Sequence, residues 1–232
     1  MSRVAVIAGV GPGLSESLAR TFVANGCQVG LFARSAKHIT ELSTNLGGDA
    51  IAIPTDITDP AQVEAGFDRV REAFGLVDVL VNHASSAVWK GAEAITPEEF
   101  EAVWRTAAYG GLLCAQEAIA DMRNGDGGTV IFTGATSSVR GRDGAIGFSA
   151  AKFAVRGMAE SMARELGPAG IHVAHVVIDG QIDTPALGDS REVDSDRVLD
   201  PDAIADSYWH LVEQDRSAWT LELDLRPHTE PF

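Results

Sequence analysis

The sequence predicts an α/β fold in which helices cover both faces of a parallel β-sheet. Short apolar runs, each followed by a turn, alternate along the chain with longer segments of helical periodicity. The chain contains no linker, internal repeat or low-complexity segment that would separate two units. A chain of 232 residues, 45% of them hydrophobic, is long enough to bury a full core. These observations favour one domain that spans residues 1–232.

The first half of the chain begins with a strand that we expect to be buried on both faces. Val4–Ala8 is uninterruptedly apolar and is followed by glycines, which is typical of a central strand in a parallel sheet. The pattern then predicts a helix at Leu14–Asn25, a strand at Gln28–Ala33, a helix at Ala36–Leu46, a strand at Ala50–Pro54, a helix at Pro60–Phe74 and a strand at Val77–Val81.

The second half continues the alternation. Pro97, Glu98 and Glu99 form the acidic first turn of a long helix that reaches about Met122, before a glycine-rich turn. The pattern then predicts a strand at Thr129–Thr133, a helix at Ala145–Leu166, a strand at Ile171–Ile178, a helix at Pro201–Val212 and a strand at Trp219–Leu225. This order indicates a Rossmann-like, doubly wound sheet of about seven strands, whose ligands bind at the carboxyl ends of the strands.

Charge and cysteine usage exclude several classes of function. The formal net charge of −15 argues against a nucleic-acid or anionic-membrane partner, because either would require clustered Lys and Arg. Cys27 and Cys114 stand in apolar surroundings and form neither a metal-ligand spacing nor a disulfide framework. We therefore predict no metal site and two small core cysteines. The chain opens directly on an apolar strand, without a signal peptide or a span long enough for a bilayer, so we expect a cytoplasmic protein.

A glycine-rich turn separates the first strand from the first helix. It reads Gly9-Val10-Gly11-Pro12-Gly13, and the helix begins at Leu14. Glycines at such a turn let the backbone approach a pyrophosphate, and the helix N-terminus offers free N–H donors. We therefore predict that Gly9, Gly11, Gly13 and Leu14 bind a dinucleotide. A tight turn that binds nothing is the alternative.

The end of the second strand indicates which dinucleotide is bound. An acidic residue about 20 positions after the glycines would bind the ribose 2′-hydroxyl of NAD, whereas an Arg can pair with the 2′-phosphate of NADP. No Asp or Glu occurs between Ala19 and Glu41, and the strand ends at Arg34 and Ser35. NADP(H) is thus favoured over NAD(H), unless Arg34 is only a solvated charge.

The chain resembles the short-chain dehydrogenase/reductase family over essentially its whole length. Ala8-Gly9-x-x-x-Gly13-x-Ser15 is similar to the family's T-G-x-x-x-G-x-G turn, with Ser15 in place of the last glycine. Thr55-Asp56-Ile57-Thr58 resembles the segment after the third strand, which implies that Asp56 and Ile57 bracket the adenine. The same segment can also act as a helix cap and turn.

Two later segments continue the resemblance. Asn82-His83-Ala84-Ser85 resembles the family's N-N-A-G motif, which implies that Asn82 and Ala84 line the cofactor. The segment after the sixth strand resembles P-G-x-I-x-T, which implies that Ile182 and Thr184 contact the nicotinamide carboxamide. Asp179 takes the place of the proline in this second motif.

The resemblance also implies where catalysis would occur, and there the sequence departs from the family. In the family, a Tyr in Y-x-x-x-K exchanges a proton with the substrate as hydride moves, and the Lys binds the nicotinamide ribose. Here the motif reads Phe148-Ser149-Ala150-Ala151-Lys152. Lys152 therefore keeps its implied role, but Phe148 at the tyrosine position cannot donate a proton. A positioned general acid is worth roughly 10²–10⁴ in rate, so its loss slows carbonyl reduction without abolishing binding.

Two more catalytic groups of the family are altered. Its serine lies about thirteen residues before the tyrosine; counting back from Phe148 reaches Ala135, whereas a loop three residues shorter would place Ser138 in that role. Its asparagine on the long helix aligns with Ala107. His83 is a candidate substitute for the missing acid, because it ends the fourth strand and titrates near neutrality, although a histidine in a loop can also be structural.

The remaining implications concern the lid and assembly. Residues 185–200 correspond to the family's substrate lid and are short, polar and acidic here, which disfavours anionic substrates or simply reflects a solvated loop. Small residues on the long helix and in Ala150–Ala163 would allow close packing between subunits, and a C-terminal strand and tail at residues 218–232 would extend the interface. The resemblance implies a homodimer or homotetramer.

Two functions follow as hypotheses. The first is an NADP(H)-dependent oxidoreductase that acts on a small, mostly uncharged carbonyl, alcohol or activated double bond, with Lys152 positioning the cofactor and Ser138 or His83 assisting. The second is a non-redox NADP(H)-binding protein, such as a sensor, scaffold or lyase, that has lost the catalytic residues. A third possibility is a degenerate pocket that binds no nucleotide.

Overall fold

The computed structural model describes residues 2–188 and 195–230, and within them seven strands form one parallel sheet. The strands of this sheet are β1 (Val4–Ala8), β2 (Gln28–Ala33), β3 (Ala50–Pro54), β4 (Val79–Asn82), β5 (Gly128–Thr133), β6 (Ile171–Ile178) and β9 (Glu222–Leu225). Two short strands, β7 (Gln181–Ile182) and β8 (Val198–Leu199), pair separately. The predicted fold class is confirmed.

Helices connect the strands and cover both faces of the sheet. They are α1 (Leu14–Ala24), α2 (Ala36–Leu46), α3 (Pro60–Phe74), α4 (Pro97–Trp104), α5 (Gly110–Asn124), α6 (Ile146–Leu166), α7 (Pro185–Gly188) and α8 (Pro201–Glu213). Apolar side chains form one buried cluster on each face of the sheet. None of the described helices is both long and apolar enough to cross a bilayer. Cys27 and Cys114 are buried, as predicted.

The strand order creates a crevice at the centre of the sheet. The order is β3-β2-β1-β4-β5-β6-β9, so the chain first builds outward from β1 and then returns to place β4 on its other side. Ala8, at the end of β1, lies between Phe32 of β2 and Asn82 of β4. A ligand of a doubly wound sheet binds outside the carboxyl ends of the strands at such a reversal.

The predicted long helix is broken by a π-helical turn. A capping box starts it, since Thr96 accepts from the Glu99 N–H and Glu99 accepts from the Thr96 N–H. The turn Arg105–Tyr109 then separates α4 from α5, which ends at Asn124 rather than at Met122. π-Helical turns occur frequently at functional sites, and this one borders the crevice through Arg105.

Two predicted strands are shorter than expected. The N–H of Val77 donates to the carboxylate of Asp121 at 3.1 Å, and β4 therefore begins only at Val79. At the other end of the chain, Trp219 stacks on His172 with ring centroids 5.0 Å apart, and the last strand begins at Glu222. In both segments side-chain contacts, which hydrophobic periodicity does not encode, accompany single backbone bonds, such as that from the His175 N–H to the Leu221 carbonyl.

The β7–β8 pair was not predicted; β8 lies in the expected lid region, whereas β7 precedes it. Gln181 pairs with Val198 and Ile182 with Leu199, which ties the segment after β6 to the residues before α8. Residues 189–194 of the predicted lid, and residues 231–232 of the predicted tail, lie outside the described part of the chain.

Candidate active site

A cleft of about 1020 Å³ opens at the carboxyl ends of the central strands. The predicted site residues in its wall are Gly9, Gly11, Arg34, Ser35, Asp56, Ile57, His83, Ala84, Phe148, Lys152 and Ile182. They come from the loops after β1, β2, β3 and β4, from α6 and from β7, and the fold brings them to one place. The other predicted site residues, Gly13, Leu14, Asn82, Ser138 and Thr184, lie outside this wall.

The glycine turn after β1 is shaped by two close approaches. Gly9 has a φ of 98°, and a Cβ there would lie 2.3 Å from the Cα of Ala84. Gly13 has a φ of 102°, and a Cβ there would lie 2.8 Å from the Cγ2 of Thr184. Both conformations are strained for any residue with a side chain. The turn therefore requires glycine at these positions for packing against neighbouring loops, quite apart from any ligand.

Ser15 has a definite role in the turn. Its hydroxyl accepts from the N–H of Gly11 at 2.8 Å and donates to the carbonyl of the same residue at 2.9 Å. Ser15 is buried in the first turn of α1 beside Leu14. Where the related motif has a glycine, this chain uses a hydroxyl to close the loop on itself.

The end of the cleft after β2 carries a positive charge. Arg34 is exposed in the wall, and no carboxylate in the described ranges lies within ion-pair distance of it. Ser35 caps the N-terminus of α2, but its hydroxyl makes no capping bond. The guanidinium, the hydroxyl and the helix N-terminus together offer donors suited to an anionic group.

The segment after β3 is held by its own side chains. One carboxylate oxygen of Asp56 accepts from the N–H of Thr58 at 2.9 Å and from its hydroxyl at 2.8 Å. This turn precedes α3, which Asp59 caps by accepting from the Ala61 N–H. Ile57 is nearly buried and still borders the cleft. The cap and the cleft wall are therefore parts of one segment, as the sequence allowed.

The loop after β4 forms part of the cleft wall. The N–H groups of His83 and Ala84 both donate to the Ala8 carbonyl, at 2.9 and 2.8 Å, which brings the β4 loop against the glycine turn. Asn82 points away from the cleft and donates from Nδ2 to the Gly111 carbonyl at 3.3 Å. Asn82 therefore joins β4 to α5, and Ala84 supplies the wall.

Lys152 lies at the bottom of the cleft. It is only 3% exposed, and its Nζ donates to the backbone carbonyl of Thr133 at 2.8 Å. Its ammonium also lies 5.6 Å from the centre of the Phe148 ring, one turn earlier on α6. Burial lowers the pKa of Lys152 to about 8. A lysine so placed can present a positive charge to a ligand that enters the cleft.

Phe148 lies at the position where the family resemblance implies a proton donor, and its ring carries no polar atom. Its ring lies 5.4 Å from that of Trp89, with an interplanar angle of 50°. Trp89 comes from the loop after β4 and is 65% exposed. The two rings form an apolar pair, of which Phe148 lines the cleft.

The loop after β5 places an alanine, not a serine, in the cleft wall. Ala135 lines the cleft, whereas Ser138 is completely buried and its hydroxyl accepts from the Ala135 N–H at 3.1 Å. The Thr136 hydroxyl donates to the carboxylate of Asp179, and Arg140 lies 3.3 Å from the same carboxylate. The structure thus does not bring the Ser138 oxygen into the cleft, and Asp179 holds this loop in place.

His83 lies in the cleft wall close to Lys152. Its Nδ1 lies 3.3 Å from the hydroxyl oxygen of Thr133, whose carbonyl binds Lys152. Burial, together with the positive charge of Lys152, lowers the pKa of His83 to about 4. The imidazole is consequently neutral near pH 7.

Several residues of the cleft were not predicted from the sequence. Ala102, Arg105 and Thr106 line it from the helix that carries the π-helical turn, and Thr133 lines it from the end of β5. Ala107 is buried outside the wall. The sequence signal for Thr133 was its position at the carboxyl end of a central parallel strand, where side chains face the ligand.

Comparisons with known proteins agree with this geometry. The chain matches the family model described as short chain dehydrogenase over residues 3–194. A 3alpha-hydroxysteroid dehydrogenase of Mediterraneibacter gnavus is 30% identical over 177 residues, which are 74% of this chain and 71% of that protein. A 3-oxoacyl-(acyl-carrier-protein) reductase of Escherichia coli is 29% identical over 192 residues, 82% of this chain and 78% of that protein. The crystal structure of a 3-ketoacyl-(acyl-carrier-protein) reductase from Brucella melitensis complexed with NADH is similar with a TM-score of 0.88 and 28% identity, over 97% of each chain.

Proposed function

The chain belongs to the short-chain dehydrogenase family, and from this premise we propose that it is an NADP(H)-dependent oxidoreductase. Its substrate is a small, mostly uncharged carbonyl, alcohol or activated double bond. The observation that carries the proposal is a cleft with a buried lysine, Lys152, at its floor and an exposed guanidinium, Arg34, in its wall. Both charges suit a ligand that bears phosphates and a ribose.

The residues present fit a dinucleotide. Gly9 and Gly11, in the turn before α1, line the cleft with backbone alone. Arg34 and Ser35 offer donors to a 2′-phosphate, which supports NADP(H) over NAD(H). When bound, the reduced nicotinamide supplies a hydride. Lys152 positions its ribose, and Ala84 and Ile182 border it.

The apolar wall restricts the substrate. Phe148 lines the cleft and packs on Trp89, two rings without a charge, and the chain as a whole is strongly acidic. A charged acid would therefore be repelled by the acidic protein and would lose hydration against the Phe148 ring. Uncharged carbonyl compounds and enones fit this wall better than carboxylates or phosphates.

The Phe148 ring also supports a second candidate function. With Phe148 at the tyrosine position, Ser138 buried and Ala107 outside the wall, the cleft lacks all three polar groups that the resemblance implies besides the lysine. A non-redox NADP(H)-binding protein, such as a sensor, scaffold or lyase, would need the cofactor cleft without those groups.

Cofactor titration and a substrate panel distinguish these functions. We expect NADPH fluorescence to change on titration with the protein, at lower concentration than for NADH, and NADPH to be consumed with at least one carbonyl or enone. Binding without turnover across a broad panel would favour the non-redox candidate. An unchanged NADPH signal would contradict both, because the glycine turn would then be purely structural.

We further propose a homodimer or homotetramer. Trp104 of α4 and Phe153 of α6 are 40% and 44% exposed, which is high for large apolar side chains on two packed helices. Sedimentation equilibrium at micromolar concentration measures the mass directly. A mass of a single chain would contradict this proposal.

A further inference from the structure

A chain of hydrogen bonds runs beneath the cleft from one aromatic side chain to another. The hydroxyl of Tyr208, on α8, lies 2.9 Å from the hydroxyl of Thr133, at the end of β5. The Thr133 hydroxyl lies 3.3 Å from Nδ1 of His83, in the loop after β4. Tyr208 is completely buried, so this chain connects the core under one face of the sheet with the cleft.

The donors and acceptors available to these three side chains set the direction of the hydrogen bonds between them. Within the described residues, the Tyr208 hydroxyl has Thr133 as its hydrogen-bond partner. A buried O–H without an acceptor is strongly disfavoured, so Tyr208 donates to Thr133. The Thr133 hydroxyl, having accepted, directs its own hydrogen to Nδ1 of His83. Nδ1 is then the acceptor nitrogen, and the neutral ring carries its hydrogen on Nε2.

The protonated nitrogen is the one available to a ligand. His83 is partly exposed in the cleft wall, and in the described ranges no protein group pairs with its Nε2. The neutral form is maintained because burial and the adjacent Lys152 lower the pKa of His83. Nε2–H is therefore a fixed hydrogen-bond donor beside Lys152.

Other polar groups near the cleft do not offer an equivalent donor. The Lys152 ammonium gives one of its three N–H groups to the Thr133 carbonyl and, in the proposed function, directs the others to the cofactor ribose; the Ser138 hydroxyl is completely buried. The Thr106 hydroxyl donates to the Ala102 carbonyl of its own helix. Ser85 lies in the wall but is exposed to solvent, where a hydrogen bond to a substrate gains little.

We propose that His83 donates a hydrogen bond from Nε2 to the substrate oxygen, and that Tyr208, acting through Thr133, is the positioning residue that fixes this tautomer. The proposal rests on the proposed oxidoreductase function. The hydride of the new C–H bond would come from the reduced nicotinamide, which is oxidised in giving it up; the C=O π electron pair moves to oxygen, and Nε2–H stabilises the developing alkoxide. A water molecule of the open cleft then protonates the alkoxide, and hydroxide leaves to solvent.

The tautomer is tested without cofactor or substrate. Nitrogen-15 NMR of the full-length protein, with the His83 signals assigned by their loss in His83→Asn, distinguishes the two ring nitrogens. We expect an Nε2–H ring in the wild type, and a mixture of tautomers in Tyr208→Phe and Thr133→Val. Tyr109→Phe and Thr129→Val are matched controls, since Tyr109 lies outside the cleft wall and Thr129 lies on the same strand as Thr133. An Nδ1–H ring in the wild type overturns the proposal.

Kinetics test the catalytic part. With a substrate found in the panel, we expect His83→Asn to lower kcat by about 10²–10³, the effect of removing one donor to a developing oxyanion, with an unchanged Kd for NADPH. Tyr208→Phe lowers kcat less, and His210→Asn, at an exposed histidine of α8 outside the cleft wall, is the matched control and leaves it unchanged. Equal kcat for His83→Asn and the wild type overturns the proposal. If NADPH binds but no substrate is turned over, the proposed function fails and the catalytic role of His83 with it, while the NMR result still decides whether Tyr208 sets the tautomer.

Discussion

At the scale of single residues, the rate of carbonyl reduction depends most on Phe148, which stands where a general acid would be. Its ring lies beside the Lys152 ammonium, so a hydroxyl added to it would lie close to a positive charge that favours the phenolate. We expect Phe148→Tyr to raise the rate of carbonyl reduction by roughly 10²–10⁴, the usual contribution of a positioned general acid. The rate of NADPH oxidation with the same carbonyl panel measures this effect.

The outcome separates the two candidate functions. An increase over a measurable wild-type rate supports an oxidoreductase that works without the acid. Activity that appears only in the variant supports a protein that has given up redox chemistry. Phe153→Tyr is a suitable control, because Phe153 is exposed on α6 and lies outside the cleft wall.

Arg34 is the residue that we expect to set cofactor preference. A charge-assisted hydrogen bond contributes roughly 1.5–3 kcal/mol, so Arg34→Gln should weaken NADPH binding by about 10- to 100-fold and leave NADH binding nearly unchanged. Fluorescence titration with each cofactor measures both constants. Arg69→Gln is the matched control, because Arg69 is exposed on α3 and outside the cleft. An equal loss for both cofactors would contradict a 2′-phosphate contact.

Lys152 predicts a pH dependence. Its folded-state pKa is about 8, so the ammonium is charged below that value and becomes neutral as the pH rises through it. The titratable groups that face it are His83, whose pKa is about 4, and His175 on β6, whose pKa burial also lowers. We therefore expect kcat/KM for NADPH to fall above pH 8 and to be level between pH 6 and 7, as a free-enzyme profile reports. Lys152→Arg should remove the alkaline decline, because a guanidinium stays charged; a decline that persists would assign it to another group.

At the scale of elements, the loops after β1 and β4 pack too closely for a side chain at one glycine. A methyl group at Gly9 would lie 2.3 Å from the Ala84 Cα, and φ is 98° there, whereas nothing lies within 4 Å of the corresponding position at Gly11. We expect Gly9→Ala to lower the free energy of unfolding by about 2–4 kcal/mol from strain and overpacking. Gly11→Ala should change it by less than about 1 kcal/mol. Urea unfolding of both variants makes the comparison, and similar midpoints would contradict the close approach.

The π-helical turn shows why an element can be recognised and its interior still be missed. Proline and the acidic residues predicted the start of the long helix correctly, because they act within one turn. The break depends on distant contacts instead. Arg105 donates to the Thr58 carbonyl at 3.2 Å and lies 4.8 Å from the Tyr109 ring. Local propensity contains no information about the first of these partners.

At the scale of the whole molecule, buried histidines predict acid sensitivity. Burial lowers the folded-state pKa values of His83 and His175, and the pKa of an exposed histidine is about 6.5. The unfolded chain therefore binds more protons than the folded chain as the pH falls below this value. Stability is fully present above about pH 6.5 and is lost on acidification, by at most about 1.4 kcal/mol per pH unit for each such group.

Urea midpoints between pH 7 and pH 5 test this dependence. The charged groups around His175 are Glu222, Lys152 and Arg156. Nδ1 of His175 lies 3.1 Å from a carboxylate oxygen of Glu222. His175→Asn removes the titrating imidazole, so it should reduce the slope of stability with pH even if it lowers stability overall. His210→Asn is the control, since His210 is exposed on α8. An unchanged slope in His175→Asn would contradict the assignment.

Local patterns in the sequence correctly predicted the order of strands and helices, the parallel sheet and the position of the cleft. Apolar runs, glycine turns and proline-initiated helices are local signals, and the connection rules of parallel sheets leave few ways to join them. The same signals identified Gly9, Arg34 and Lys152, because each stands at a fixed distance from the end of a strand or in a motif that resembles a known one.

Which polar groups reach the cleft depends on contacts between residues that are far apart in the sequence, and only the folded chain shows them. Ser138 and Ala135 are three residues apart, and the loop that Asp179 holds turns the alanine toward the cleft and buries the serine. His83, Thr133 and Tyr208 meet across intervals of 50 and 75 residues. A hydrogen bond needs two atoms within about 3 Å. Sequence spacing predicts that distance only within one element, so contacts among three elements are settled when the sheet assembles and the core beneath it closes.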